Sequence, residues 1–256
     1  MILIVFSGQN PLSLKAKRSD KTRQLDNYNN HESKIMERTK ILTWCFLLVS
    51  LLLLLLSSCT GVVKDHDGNL YKTTKIGKQK WMSENLAVSH FRNGDTIPEV
   101  RSDSEWEKSG NEGKPAWCYE DNNPGNDNKY GKLYNWYAVS DLRGLAPDRW
   151  HVPSDAEWLK LTTYMGGPVF AALKMRTSGL TGEGNKETGN DFKLPAGGTR
   201  NNHGIFYSSG SYGYWWSSTE FNSSKAWIRI LDYLHCYVNS PNFSKQYGLS
   251  VRCIQD

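Results

Sequence analysis

Trp150-His151-Val152-Pro153-Ser154-Asp155-Ala156-Glu157-Trp158 is the stretch on which the fold turns. Ser154 can accept from the amide of Glu157 while Glu157 reaches back to the amide of Ser154, the reciprocal cap that starts a helix. Trp158, Leu161 and Met165 then form one apolar stripe, closed by Gly166-Gly167-Pro168. A further short helix is predicted over residues 169–175. His151, beside the cap, reads as a structural hydrogen-bonder.

Moving toward the start, residues 131–142 carry Leu133, Trp136, Tyr137 and Ser140 at helical spacing and predict another helix. Residues 92–128 are rich in Asn, Asp, Gly and Pro and read mainly as loops with short ordered pieces. Before them the pattern is β: a hairpin turning at Asp67-Gly68, strand over 70–76, a turn at Gly77-Lys78, then strand over 79–82. Moving toward the end, short strands are expected at 192–194, 204–207, 213–216, 226–230 and 248–254. An N-terminal β-hairpin, two main helices and a strand-rich C-terminal half with long loops make an α+β order.

The chain has 256 residues and a formal charge of +5. Its first 58 residues hold eight of the 31 basic and four of the 26 acidic side chains, leaving 23 against 22, or +1, for residues 59–256. A near-neutral domain has no electrostatic footprint for phosphate backbones, so nucleic acid is not expected as a partner. Residues 59–256 carry nine of the ten tryptophans and twelve of the thirteen tyrosines, and read as a single domain.

Residues 41–56 are apolar except Thr43 and Ser50, too short for a mature spanning helix and suited to the centre of an export signal. Arg38 and Lys40 precede this run, and Leu56-Ser57-Ser58-Cys59 follows it. That order resembles a bacterial lipobox. The resemblance implies cleavage before Cys59, acylation of that cysteine, and anchorage in the outer membrane by acyl chains. Residues 36–58 are thus the expected signal peptide. Residues 1–35 are read as an extension upstream of a true start at Met36, or as a disordered segment.

Catalytic constellations were sought by spacing, and no catalytic residue and no cofactor are expected. His66, His90, His151, His203 and His235 are isolated, without a His/Cys cluster of metal-ligand spacing. There is no Gly-x-Ser-x-Gly elbow, and the glycine-rich stretch at 182–189 lacks a phosphate-loop ending. Asp65-x-Asp67-x-Asn69 opens like a calcium loop, but Gly68 is misplaced and Ile76 stands where glutamate is needed, favouring a hairpin. The oxygen-rich run at 121–128 reads as a solvated loop in preference to a calcium loop.

Seven segments then form an ordered set: Asp67-Gly68-Asn69; Gln79-Lys80-Trp81-Met82-Ser83-Glu84-Asn85-Leu86; and Tyr130 through Val139. After these come the Trp150 to Trp158 stretch, Leu194-Pro195-Ala196-Gly197-Gly198, Trp215-Trp216-Ser217-Ser218-Thr219 and Val251-Arg252-Cys253. Together they resemble the Fibrobacter succinogenes major paralogous domain over about residues 62–255. This family occurs in secreted proteins and lipoproteins of Bacteroidetes and Fibrobacteres. The resemblance implies a C-type-lectin-like fold related to the formylglycine-generating sulfatase-modifying domain. That relative needs two nearby late cysteines. Cys236 and Cys253 do not match its pattern, so an oxidase is disfavoured.

The family commonly has cysteine where Cys118 and Cys253 stand, which implies a Cys118–Cys253 disulfide; a Cys236–Cys253 strand pair is the competitor. Where relatives are usually Asn-rich, this chain has Asp232, Tyr233, His235, Tyr237, Asn239, Asn242 and Phe243. Lectin-like proteins that are diversified by retroelements vary at such a C-terminal stretch, which implies a ligand-binding surface here. Drift in a surface hairpin is the simpler account and stands beside it. The resulting expectation is a lipid-anchored binding or adhesion module for a glycan or surface protein, with a structural envelope protein lacking a ligand as the alternative.

Overall fold

In the computed structural model the described residues are Met36, Arg38, Lys40, 42–44, 61–176 and 192–256. The chain divides into two compact units, Met1–Ser58 and Cys59–Asp256. In the first unit, the six described residues are helical and exposed. Among the described residues no helix is long and apolar enough to cross a membrane. Cys59 and the glycine-rich stretch at 182–189 lie outside the described residues.

The second unit is a mixed α+β structure. Strands β1 (Val62–Lys64), β2 (Leu70–Ile76) and β3 (Gln79–Met82) form the expected meander. Gly68 and Gly77 supply the positive φ its turns need, at +90° and +61°. Helix α1 (Asp103–Asn111) follows, then β4 (Trp117–Tyr119), the single turn α2 (Asp127–Tyr130), β5 (Lys132–Tyr134) and the single turn α3 (Trp136–Val139). After β6 (Trp150–His151) come α4 (Asp155–Tyr164) and α5 (Pro168–Met175). The remaining strands are β7 (Thr199–Arg200), β8 (Phe206–Tyr207), β9 (Tyr212–Asn222), β10 (Lys225–Asp232), β11 (Tyr237–Asn239), β12 (Asn242–Ser244), β13 (Leu249–Ser250) and β14 (Ile254–Gln255).

The capping box forms as the sequence predicts: Ser154 Oγ accepts from the Glu157 amide at 3.3 Å, and Glu157 Oε2 accepts from the Ser154 amide at 2.8 Å. Trp158, Leu161 and Met165 are all buried. Three expectations are corrected. Residues 131–142 are not one helix, because Gly131, at φ +66°, ends the preceding turn and Lys132–Tyr134 pairs with both β4 and β13. The 92–128 stretch contains a real helix, α1, started by Ser102 and anchored by buried Trp106. The 248–254 segment is not one strand either: β13 lies in one sheet and β14 in another, with Val251, Arg252 and Cys253 crossing between them.

The smaller sheet runs β1-β2-β3-β14-β6, so both ends of the unit share it. The larger runs β11-β10-β9-β13-β5-β4, with β12 also pairing on β10. Strand alternation sends Trp117, Tyr134, Trp216 and Leu249 into one core, and Trp215 and Leu231 into a second core with Trp81, Trp158 and Phe192. Cys118 and Leu133 face a third cluster around Trp106. The two indole donors on β9 are spent inside: Trp216 Nε1 donates to Tyr134 O at 2.7 Å and Trp215 Nε1 to Asn85 Oδ1 at 2.9 Å.

Candidate functional site

Strands β9 and β10 pair with Tyr214 opposite Ile230 and Tyr212 opposite Asp232. On the outer edge of β10, β11 sets Asn239 opposite Ile230 and Tyr237 opposite Asp232, while β12 sets Phe243 opposite Ala226. Side chains directly opposite share a face. Tyr212, Tyr214, Ile230, Tyr237, Asn239 and Phe243 therefore project from the same side of the sheet as Trp216. At Trp216 and Ile228 that side is buried in the core; toward the β10–β11 turn it opens, leaving Tyr212, Tyr214, Ile230 and Phe243 half-buried and Tyr237 40% exposed.

The rings form a continuous row. Tyr212 and Tyr214 have centroids 6.2 Å apart, Tyr214 and Phe243 5.9 Å, and Phe243 and Tyr247 5.2 Å, the last pair edge-on. These spacings suit aromatic packing, and each ring is half-buried, with Tyr214, Phe243 and Tyr247 packed against the main core. Burial, partly offset by a hydrogen bond with Ser208, raises the Tyr214 hydroxyl above its ordinary range.

Of the residues the sequence marked for ligand binding, the fold brings Tyr237, Asn239 and Phe243 onto this face, and Asn242 lies half-buried beside Phe243 on β12. His235 is exposed at the adjoining turn. Two others are buried: Asp232, opposite Tyr212 and Tyr237 on this same face, and Tyr233. Asp232 is buried and accepts from the amides of Leu234 and His235 at 2.8 and 2.9 Å and pairs with His235 Nδ1 at 2.7 Å. Burial acts to raise its carboxyl pKa, but these bonds hold it below the ordinary range. Tyr233 is only 3% exposed, packs in the second core and donates its hydroxyl to Leu194 O. It is a core residue and no part of an exposed surface. Tyr212, Tyr214 and Tyr247 were missed from sequence. The signal was there, since Tyr212-x-Tyr214-x-Trp216 alternates with period two.

The cysteines also differ from expectation. Cys118, Cys236 and Cys253 are free thiols, and the implied Cys118–Cys253 bond is not formed. Cys118 faces the Trp106 cluster and Cys253 belongs to the Trp216 core, so they lie in different clusters. Cys236 sits at a φ of +51° and its Sγ accepts from Arg176 Nη1 at 3.1 Å.

Several of the oxygen atoms considered for calcium are engaged by the protein, while Asn122 Oδ1 and Asp127 Oδ1 are buried without a hydrogen-bond partner. Asp65 accepts from the Asn69 amide at 2.8 Å and the Tyr71 hydroxyl at 2.5 Å, and Asp67 pairs with His90 Nδ1 at 2.6 Å. In the 121–128 run, Asn123 Oδ1 accepts from the Gly125 amide, and Asn126 donates to Glu120. Among the described residues no three His, Cys, Asp or Glu side chains converge for a metal ion.

The fold and this open aromatic face thus define a mixed α+β domain with a half-exposed sheet end. Residues 74–255 match the Fibrobacter succinogenes major domain, and the chain belongs to that family. No curated protein and no solved structure matches the chain.

Proposed function

We propose that this protein is an exported binding module of the bacterial cell envelope, tethered to the outer membrane through acylated Cys59, that holds a glycan on the open face of its large sheet. The observation that carries the reading is the row of half-buried rings Tyr212, Tyr214, Phe243 and Tyr247 with the exposed Tyr237 beside it, a run of aromatic surface on which the apolar face of a sugar ring would stack. Tyrosine gives large contact area at low entropy cost. Asn239 and His235 add exposed polar groups at the rim. Catalysis and a bound cofactor form no part of the reading.

The C-type-lectin-like relationship belongs to the same proposal. It is supported by the joining of both ends of the unit in one sheet; the long loops expected of the strand-rich half are not found among its described residues, where consecutive strands are joined by two to five residues.

A glycan array with the full chain in detergent tests the binding reading. At least one glycan class should be retained, with tenfold or greater loss in Tyr237→Ala and Phe243→Ala. Retention of no glycan, or binding unchanged in both variants, favours a structural envelope protein and overturns it. Metabolic labelling with an alkynyl fatty acid tests the anchor. Label should be incorporated by the native chain and lost in Cys59→Ser; label surviving that substitution overturns it.

A further inference from the structure

Helices α4 and α5 each cover the second core with one side and leave the other in solvent. Trp158, Leu161 and Met165 on and just after α4, and Ala171, Ala172 and Met175 on α5, are buried. The outer sides carry Leu159, Tyr164, Val169, Phe170 and Leu173, which are 42–67% exposed. These side chains form one surface. The Tyr164 ring lies against Gly77 in the β2–β3 turn, and Phe170 lies over Gly166 in the link between the helices, where an added Cβ would stand 3.3 Å from that of Phe170. A surface helix normally turns polar side chains outward, and a run of large apolar ones marks a contact.

The same surface reaches the point where the chain enters the unit. Leu70 and Lys72 lie on the side of β2 that carries buried Ile76 into the second core, and Val62 is paired opposite Lys72. Val62 and Leu70 are 61% and 67% exposed, so exposed apolar side chains line this side of the unit from its first strand to its helices. Val62 is three residues after Cys59. Thr73, whose amide donates to Gly61 O at 2.9 Å, precedes Gly77 by four residues, about 13 Å of extended chain.

Charge points to the occupant. Residues 70–82 and 158–176, which supply most of this surface, hold seven basic residues and no acidic one. Lys72, Lys78 and Lys160 are exposed. The carboxylates that border these segments are engaged: Glu84 Oε2 accepts from the Lys72 amide, Asp155 pairs with Arg229, Glu157 with His151 and Asp232 with His235. Asp65 and Asp67, ahead of β2, are held by Asn69, Tyr71 and His90. Apolar side chains among lysines suit the interface of a bilayer with anionic headgroups, where such a surface adds a second membrane signal to an acyl chain.

We infer that the outer side of α4 and α5, with Val62 and Leu70, lies on an anionic phospholipid bilayer. The inference rests on the proposed tether at Cys59 for its nearness to that bilayer. It also orients the binding face. Val238, packed with α5 in the second core, alternates along β11 with Tyr237 and Asn239, so the open aromatic face is on the other side of the large sheet and is held away from the lipid.

Fluorescence quenching by a spin-labelled lipid tests it. The full chain, extracted from membranes in detergent, is labelled with an NBD fluorophore at Phe170→Cys or at Asn239→Cys. Both carry Cys236→Ser, because Cys236 is half-buried while Cys118 and Cys253 are buried. In vesicles of phosphatidylcholine with phosphatidylglycerol, a lipid spin-labelled near its headgroup should quench position 170 at least threefold more than position 239. Vesicles of phosphatidylcholine alone should at least halve the quenching at 170. With the label moved to Leu173→Cys, Phe170→Glu should halve it likewise in the mixed vesicles. Equal quenching at 170 and 239, quenching indifferent to phosphatidylglycerol or to Phe170→Glu, or a dimer in detergent that Phe170→Glu separates overturns it. Acylation of Cys59 is read separately by the alkynyl fatty acid. A chain that takes this label without selective quenching keeps the tether and loses the lipid face, and selective quenching without the label does the reverse.

Discussion

Arg229 on β10 reaches Asp155 at the first turn of α4: Nη1 lies 2.6 Å from Asp155 Oδ1, and Nη2 donates to the Asp155 carbonyl at 2.9 Å. The guanidinium side chain is 3% exposed and the carboxylate 33%. Asp155 also places a negative charge where the helix dipole favours one. Removing one partner of such a pair strands a buried charge. Asp155→Ala should cost about 3 kcal/mol, toward the lower end for a broken buried pair because the carboxylate is partly solvated. Adding Arg229→Met should recover more than half of that loss. Urea unfolding of the two variants checks both figures.

His151 joins the same helix start to the C-terminal strand. Its Nε2 lies 3.0 Å from Glu157 Oε1 and its Nδ1 2.7 Å from Asp256 Oδ1. Burial acts to lower the imidazole pKa, but the bonds to Asp256 and Glu157 outweigh it and raise the pKa above its ordinary value. For Glu157, burial acts upward, and bonds from Ser154 and His151 bring the carboxyl below its ordinary value. A raised histidine contributes fully below its unfolded pKa, about 6.5, and loses the contribution as pH rises through the folded value. A depressed glutamate contributes fully above about 4.5 and loses it as pH falls through its folded value. The two contributions coexist between about pH 4.5 and 6.5. His151→Gln should therefore flatten the decline of the urea midpoint on the alkaline side of that window. An unchanged alkaline slope would show that the imidazole does not supply it.

What was legible from sequence was whatever local chemistry alone determines. The Ser154 cap, the glycine turns and the alternation of β2 need only their neighbours, and each formed where its residues predict. Residues 131–142 failed because helical spacing of Leu133 and Trp136 was overridden by pairing of β5 with β4 and β13, partners remote in sequence. The open sheet face was only half legible. Tyr237, Asn239 and Phe243 stood out as departures from a family pattern, while Tyr212 and Tyr214 reach the same face through register with β10. The two buried residues, Asp232 and Tyr233, lead into a tight turn whose geometry no spacing rule expresses. Ser102-Asp103-Ser104-Glu105 ahead of Trp106 was a readable cap hidden in a loop-like composition.

That cap gives a direct test of α1. Ser102 Oγ accepts from the Glu105 amide at 3.3 Å and donates to Glu105 Oε2 at 2.7 Å. The helix holds Trp106 against Arg200, whose guanidinium sits 4.7 Å from the indole ring centroid. Ser102→Ala should cost about 1 kcal/mol by loss of the cap. Ser102→Asp should restore most of it, being a cap residue of the right charge for a helix start. Thermal unfolding of the two variants should rank native first, Ser102→Asp next and Ser102→Ala last.

The thiols differ enough to be told apart chemically. Burial pushes Cys118 up to about 12, against the opposing charge and hydrogen bond of Arg200, and pushes Cys253 up to about 12 against Arg252. Alkylation requires thiolate and access, so both should stay unreactive in the folded protein at pH 8. Cys236 is half-buried at an exposed turn, with Arg176 donating to its sulfur. Treating the folded protein with iodoacetamide and mapping the peptides by mass spectrometry should find Cys236 modified first. Cys118 and Cys253 should react only after denaturation. In non-reduced digests of exported protein, both should be recovered as unlinked peptides. A Cys118–Cys253 linked peptide would require the Trp106 cluster and the Trp216 core to be packed differently from the arrangement described here.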